Sequence, residues 1–266
     1  MSNLIIIKKK IKNFSKKIIV SGDKSISIRW VLFASLAVGK SEAKNLLKSE
    51  DVLAAIKAIK KLGIKVIFKK KICEIYGKGF NGYKYKKGIN IDCENSGTLA
   101  RLLLGFLVNS HEKIKITGDK SLSKRDFLRV INPLEKFGAK FKSNYGKLPI
   151  TIKGTNYSKS IRYNEKKGSA QCKSAVMLAA LNTPGETIIK AKKSRNHSEL
   201  LFQHLRLPIK VIKKKKYDII KVKGKHKIPA LNYKIPSDVS SAAFFIVLTA
   251  LTRNSRLGIK NVNINP

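Results

Sequence analysis

An α/β architecture of repeated units is what this sequence predicts, and three observations predict it. Short β-branched runs alternate with longer apolar stretches of helical length, the pattern of strand–helix crossovers. The alternation restarts with related motifs near residues 21, 95, 168 and 236, an interval of about 70 residues. Three of the restarts share one design: a Ser- or Gly-bearing loop, then an apolar helix with a cation in its first turn.

The elements follow in order. Leu4–Ile7 and Lys17–Val20 read as short strands. Ser21–Arg29, SGDKSISIR, is a loop turning into a helix that continues through Trp30–Val38. Gly22 permits a tight backbone, and Ser25 or Ser27 is suited to cap the first turn. Gly39 and Lys40 end that helix, and Ser41–Leu47 is strand-like. Ser49 then stands as N-cap before Glu50 and Asp51, with Val52, Ala55, Ile56, Ile59 and Leu62 on one face and Gly63 as the stop. Ile64–Phe68 is a strand, and residues 69–87 hold strands and turns. The second copy has NSGT at 95–98, an apolar helix Leu99–Val108 with Arg101, a strand Lys113–Thr117, a helix Ser123–Phe137 and a strand Ala139–Lys142. Residues 144–167 are turn-rich and strand-like. The third has GSAQ at 168–171, the helix Cys172–Leu181 with Lys173, the strand Glu186–Ala191, a helix from Ser194 to near Leu205 and the strand Ile209–Ile212. A fourth begins at Pro236-Ser237-Asp238 with the helix Val239–Leu251 and the strand Arg256–Asn263.

A helix start with open N–H groups attracts an anion, and the dipole adds to the attraction. Lys24 supplies a point charge and Arg29 a planar fork that matches phosphate or carboxylate. Copies packed about a common axis bring several such starts to one mouth, a receptor for a multiply charged anion.

The totals narrow the classes. The 266 residues are 43% hydrophobic, enough for a core. The longest apolar run, Ala242–Leu251, is far short of the roughly 20 residues of a membrane helix. Lys8–Lys10 follow the first apolar run instead of preceding it, the wrong order for a secretory signal, so a cytoplasmic protein is expected. Cys73, Cys93 and Cys172 are expected as reduced residues, and neither they nor the four histidines show metal-ligand spacing. The net charge of +41 is extreme, but lysines are spread along the whole chain. Nucleic acid is disfavoured because aromatics are not interleaved with the basic runs, and a compositional drift toward Lys, Ile and Asn accounts for the charge.

Six motifs together resemble the EPSP synthase (3-phosphoshikimate 1-carboxyvinyltransferase) family: SGDKSISIR at 21–29, NSGTLARLL at 95–103, TGDKSLSKR at 117–125, GSAQCKSAV at 168–176, SRNHSE at 194–199 and PSDVSSAAFF at 236–245. The resemblance implies an inverted α/β-barrel-like domain of the enolpyruvate transferase type, made of βαβαββ units. Residues 19–232 would form the complete first domain; residues 1–18 and 233–266 would belong to a second, truncated one. The implied reaction joins the 5-hydroxyl of shikimate 3-phosphate to C2 of phosphoenolpyruvate and releases phosphate, on the route to chorismate, without metal or organic cofactor. Lys24 would touch both substrates and serve catalysis. Ser25, Arg29, Ser169, Ala170, Gln171 and Arg195 would hold shikimate 3-phosphate, with Ser194 an alternative to Arg195. Gly97, Arg125 and Gln171 would hold phosphoenolpyruvate. Arg101 and Lys173 are equally suited to neutralising buried helix ends.

Two departures stand out. Asp126 follows Arg125 where the family usually has Pro, which puts an anion beside a clamp. The family's second domain supplies catalytic carboxylates and further cations, and nothing here matches those motifs; Asp238 belongs to a different motif. The expectation is therefore an N-terminal part with little or no turnover, a monomer when full length, with Val239–Leu251 exposed and prone to aggregate. The rival readings are a non-catalytic binder of phosphorylated ligands and the enolpyruvyl transferase acting on UDP-N-acetylglucosamine. The latter carries a reactive Cys near the Arg125 region, and no cysteine falls there.

Overall fold

The computed structural model describes residues 10–265, so the predicted strand Leu4–Ile7 lies outside the described residues. The chain runs β1 (Ser15–Ile18), α1 (Lys24–Leu36), β2 (Ala37–Lys44), α2 (Glu50–Lys61), β3 (Lys65–Lys69) and β4 (Ile72–Lys78). Then come β5 (Asn90–Asp92), α3 (Gly97–Phe106), β6 (Ile114–Thr117), α4 (Lys120–Ser123), α5 (Leu128–Glu135), β7 (Lys140–Asn144) and β8 (Lys147–Lys153). The third stretch is β9 (Arg162–Glu165), α6 (Ala170–Leu181), β10 (Glu186–Lys192), α7 (His197–His204), β11 (Ile209–Lys213) and β12 (Tyr217–Lys223). Last are β13 (Ile228–Pro229), β14 (Asn232–Lys234), α8 (Val239–Leu251) and β15 (Arg256–Ile259).

The predicted βαβαββ unit is present. Strands order as β5-β6-β8-β7 in the second unit and β9-β10-β12-β11 in the third. In each, the first two strands are parallel across a helix and the last two return antiparallel. The first unit repeats this with one exchange. Its β2, β4 and β3 stand in the same spatial order as β6-β8-β7 and β10-β12-β11, but its first strand is supplied by β13 and β14, which pair parallel to β2 at Ile228–Ala37 and Tyr233–Ala43. The Leu231 N–H donates to Ser41 Oγ at 3.0 Å across 190 residues of chain. The same device recurs at the other end, where β1 pairs parallel with β15, Ser15 opposite Arg256.

Two stretches far apart in sequence, near Val20–Asp23 and Ile235–Asp238, are tied together. Gly22 and Ser237 form a bridge, and Ser237 Oγ lies 3.1 Å from the carbonyls of both Val20 and Lys260.

Helices α1, α3 and α6 are buried on nearly every side, with the sheets outside them, which is the inverted arrangement the resemblance implies; no closed barrel is found among the described residues. A continuously apolar helix has no face to give to water, so only a central position suits it. Helix α3 lies directly on α6 at Gly105, where a Cβ would run into the carbonyl of Ala175. Glycine is needed there for space. Helix α8 is different. Phe244, Ile246, Val247 and Leu251 are exposed, as the sequence suggested. Among the described residues no helix is long and apolar enough to cross a membrane.

Three local expectations are corrected. The cap of α1 is Asp23, whose Oδ1 accepts from Ile26 N at 2.8 Å; Ser25 and Ser27 lie inside the first turns, and Ser27 Oγ accepts from Leu47 N instead. The predicted helix Ser123–Phe137 is broken into α4 and α5; Phe127 takes the N-cap position of α5 without a side-chain cap bond, and the Asp126 carboxylate just before it accepts from Leu128 N at 2.8 Å. Helix α1 ends at Leu36, and β2 runs through Gly39 and Lys40 instead of stopping there. Ser49 occupies the N-cap position of α2 as expected, but its hydroxyl makes no capping bond.

Candidate functional site

The three predicted helix starts meet. Arg29, in the second turn of α1, is only 3% exposed. Its Nε donates to Ser198 Oγ at 2.8 Å, one terminal nitrogen to the Ser25 carbonyl at 3.0 Å and the other to Ser174 Oγ at 3.2 Å. Ser198 lies on α7 and Ser174 on α6, so one guanidinium ties three helices together. Ser198 Oγ also donates to Ser174 Oγ at 2.7 Å. Burial pushes the Arg29 guanidinium down to about 10, opposed by Glu199 and Asp23 and assisted by Arg195, so it stays charged at neutral pH.

A second junction joins α3 to α6. Arg101 donates to the Gly97 carbonyl at 3.1 Å and to Gln171 Oε1 at 3.0 Å, and its guanidinium lies 4.9 Å from the Phe127 ring. Gln171 Nε2 donates to Thr98 Oγ1 at 2.9 Å. Burial, then Arg129, lowers the Arg101 pKa. Gly97 sits between two cations: a Cβ there would be 2.8 Å from a terminal nitrogen of Arg101 and 2.8 Å from one of Arg125. Arg125 itself is exposed, and the Asp126 carboxylate is turned to α5, with no ion pair to Arg125 among the described residues.

Lys24 is half-exposed at the mouth. Its ammonium pairs with Asp51 at 3.2 Å and its backbone N–H donates to Asp238 Oδ2 at 3.2 Å. Ser25 is half-buried, and its carbonyl is the one Arg29 uses. Ser169 caps α6, accepting from Cys172 N at 3.3 Å; half-buried Ala170 follows, its carbonyl accepting from Ser174 Oγ at 2.7 Å. Arg195 is exposed just before α7, and Ser194 Oγ is buried without a partner among the described residues.

Four contributors were not singled out from the sequence. Ser174 and Ser198 hold the Arg29 fork, and their signal was their place inside the SAQCKS and RNHSE stretches. Glu199 forms a buried ion pair with Lys173 at 2.5 Å, the two side chains 4% and 1% exposed. Asn263 donates to Asp23 Oδ2 at 3.0 Å and lies 3.3 Å from His197 Nε2. A cavity of about 140 Å³ adjoins Arg29, between His197 and Tyr233.

The carboxylates around this cluster are all engaged. Asp23 caps α1 and meets Asn263, Asp51 pairs with Lys24, Glu199 pairs with Lys173 and Asp238 caps α8 through Ser240 N at 2.7 Å. The arrangement therefore offers fixed cations and donors to an anion, and no carboxylate poised to carry a proton.

Gly97→Ala is expected to leave the fold intact, because the atoms its methyl meets are the far ends of two long side chains. The melting temperature should move by less than about 3 °C, while both guanidinium groups are displaced and affinity for a small phosphorylated anion at this point falls at least about tenfold, or 1.4 kcal/mol. Calorimetric titration with paired melting curves checks both.

His197 has its pKa lowered from 6.5 to about 4, first by burial and then by Arg29. The folded value lies below the unfolded one, so stability is full above pH 6.5 and is lost as pH falls from 6.5 to about 4. His197→Asn should lose less stability than the wild type between pH 7 and pH 4.5 in urea titrations.

Fold and site define an α/β protein of repeated βαβαββ units with cations and hydrogen-bond donors gathered where helix starts converge. A family model described as EPSP synthase (3-phosphoshikimate 1-carboxyvinyltransferase) matches residues 8–266, and the chain belongs to that family. It is 42% identical over 248 residues to a 3-phosphoshikimate 1-carboxyvinyltransferase of Ruthia magnifica, covering 93% of this chain and 56% of that protein. It is 39% identical over 249 residues to the protein of that name from Streptococcus mutans, covering 92% and 57%. The EPSP synthase of Acinetobacter baumannii superposes with a TM-score of 0.87 at 35% identity, covering 96% of this chain and 57% of that one. The chain thus spans a little over half the length of the relatives it matches.

Proposed function

We propose that this chain supplies the shikimate 3-phosphate site, and part of the phosphoenolpyruvate site, of an enolpyruvyl transfer reaction in the shikimate route. The carrying observation is the Arg29 fork locked by Ser25, Ser174 and Ser198 beside two further cationic helix starts. Shikimate 3-phosphate would be held by Lys24, Ser25, Arg29, Ser169, Ala170, Gln171 and Arg195. Phosphoenolpyruvate would lie against Gly97, where no side chain intervenes, between Arg125, Gln171 and Lys24. Lys24 is the candidate catalytic cation, free to leave Asp51 for a substrate that carries more charge.

The same reading takes residues 19–232 as one domain and assigns residues 1–18 and 233–266 to a second. It places the protein in the cytoplasm, as a monomer at the family's full length. With every nearby carboxylate engaged, these residues bind and orient; the proton transfers fall to groups outside this cluster. A specific observation thus favours binding without turnover for the 266-residue chain.

The test is a fluorescence titration with shikimate 3-phosphate. Trp30, the only tryptophan, is buried and adjoins Arg29. A saturable change that inorganic phosphate does not reproduce is expected. A folded chain giving no change, or the same change with phosphate, overturns the reading.

A further inference from the structure

A cavity of about 610 Å³ lies on the far side of the loop joining β2 to α2, and the proposed reaction uses none of it. The volume suits a small organic ligand, roughly 300–1,000 Å³. Its floor is apolar, made by Leu46, Phe68, Ile72 and Ile19. Its rim carries Lys44, Lys48, Lys70, Lys71 and Lys234, and no carboxylate lines it. Among the described residues none of these five lysines forms an ion pair. The Lys48 ammonium sits 5.4 Å from the centre of the Phe68 ring, which is 39% exposed.

Five converging cations repel one another, and an anion among them relieves that repulsion. A bare inorganic anion would leave the Phe68 floor wet. A neutral apolar molecule would leave the lysines uncompensated. A ligand with an apolar body and a negatively charged end satisfies both halves, and a flat aromatic body stacks best on the exposed Phe68 ring. We propose that this cavity binds a small aromatic carboxylate, its ring on Phe68 and Ile72 and its charge among Lys48, Lys70 and Lys71.

The site shares a loop with the α1 helix start. Leu47 N–H donates to Ser27 Oγ at 3.2 Å, and Asn45 Nδ2 to the Ile235 carbonyl at 3.2 Å. Gly22 faces the Asn45 carbonyl so closely that no Cβ fits between them. A ligand that fixes residues 45–48 on the cavity side therefore bears on the start of α1 on the other, and any such coupling is reciprocal.

The probe is 2-naphthoate, titrated by its own fluorescence into the full 266-residue chain at fixed ionic strength. Saturable one-to-one binding is expected. Acetate and 2-naphthalenemethanol, which carry the charge and the ring separately, should each bind at least tenfold more weakly. Lys48→Gln/Lys70→Gln should weaken naphthoate at least tenfold and Phe68→Ser at least fivefold, while Arg125→Ala changes nothing. These side chains are exposed, so the variants should melt as the wild type does. Full affinity in both cavity variants, loss on Arg125→Ala, or equal binding of the uncharged alcohol overturns the proposal.

Discussion

Arg29→Lys is expected to lower affinity for shikimate 3-phosphate by at least about 100-fold, close to 3 kcal/mol. The change keeps the charge and removes the fork. A single ammonium cannot serve the Ser25 carbonyl, Ser174 Oγ and Ser198 Oγ from one position, as the guanidinium does. It is also more strongly hydrated, so holding it at 3% exposure costs more. Each unmade buried bond costs about 1–3 kcal/mol, so stability falls as well. Titration against the Trp30 signal, with urea unfolding of the same preparations, separates the two effects. An affinity within threefold of wild type would show that the fork does not hold the ligand.

The second large effect is on stability alone. Glu199→Gln should cost about 3–5 kcal/mol, because it leaves the Lys173 ammonium buried without its partner. The pair is 2.5 Å long and almost sealed from water, so solvent cannot replace the lost charge. Lys173→Met/Glu199→Leu should recover most of that loss, since removing both charges removes the desolvation cost that the pair offsets. Chemical denaturation of the single and double variants closes the cycle. A Glu199→Gln penalty under 1 kcal/mol would contradict the buried-pair description. Glu199 also raises the pKa of Arg29, so this pair sustains the site's central cation as well as its packing.

What could be read from the sequence was whatever is encoded locally. The apolar helices expected from Leu99, Cys172 and Val239, the glycine stop at 63 and the apolar stripe of α2 are all short-range signals, and all are present, the first two helices beginning two residues earlier, at Gly97 and Ala170. So is the convergence of helix starts, because the repeat fixes it. The misreadings share a cause. Asp23 took the cap that Ser25 and Ser27 were offered, since an aspartate one position upstream of Lys24 reaches the same N–H groups. The α4–α5 break falls at Lys124–Phe127, where the Asp126 carboxylate accepts from Leu128 N, a local turn bond that periodicity does not reveal. The exchange of first strands was invisible, because β13 and β14 are two and three residues long and pair with β2 across most of the chain. Lys173 was read as either ligand or helix-end neutraliser; its partner Glu199 lies on another helix, where no spacing rule connects them.

The most direct test of the account is phosphorus NMR on one sample of the 266-residue chain with shikimate 3-phosphate and phosphoenolpyruvate. The phosphate resonance of shikimate 3-phosphate should shift with wild type and not with Arg29→Lys. The phosphoenolpyruvate resonance should move less in Gly97→Ala than in wild type, and no orthophosphate should accumulate. No shift in either resonance would contradict the site; growing orthophosphate would contradict binding without turnover.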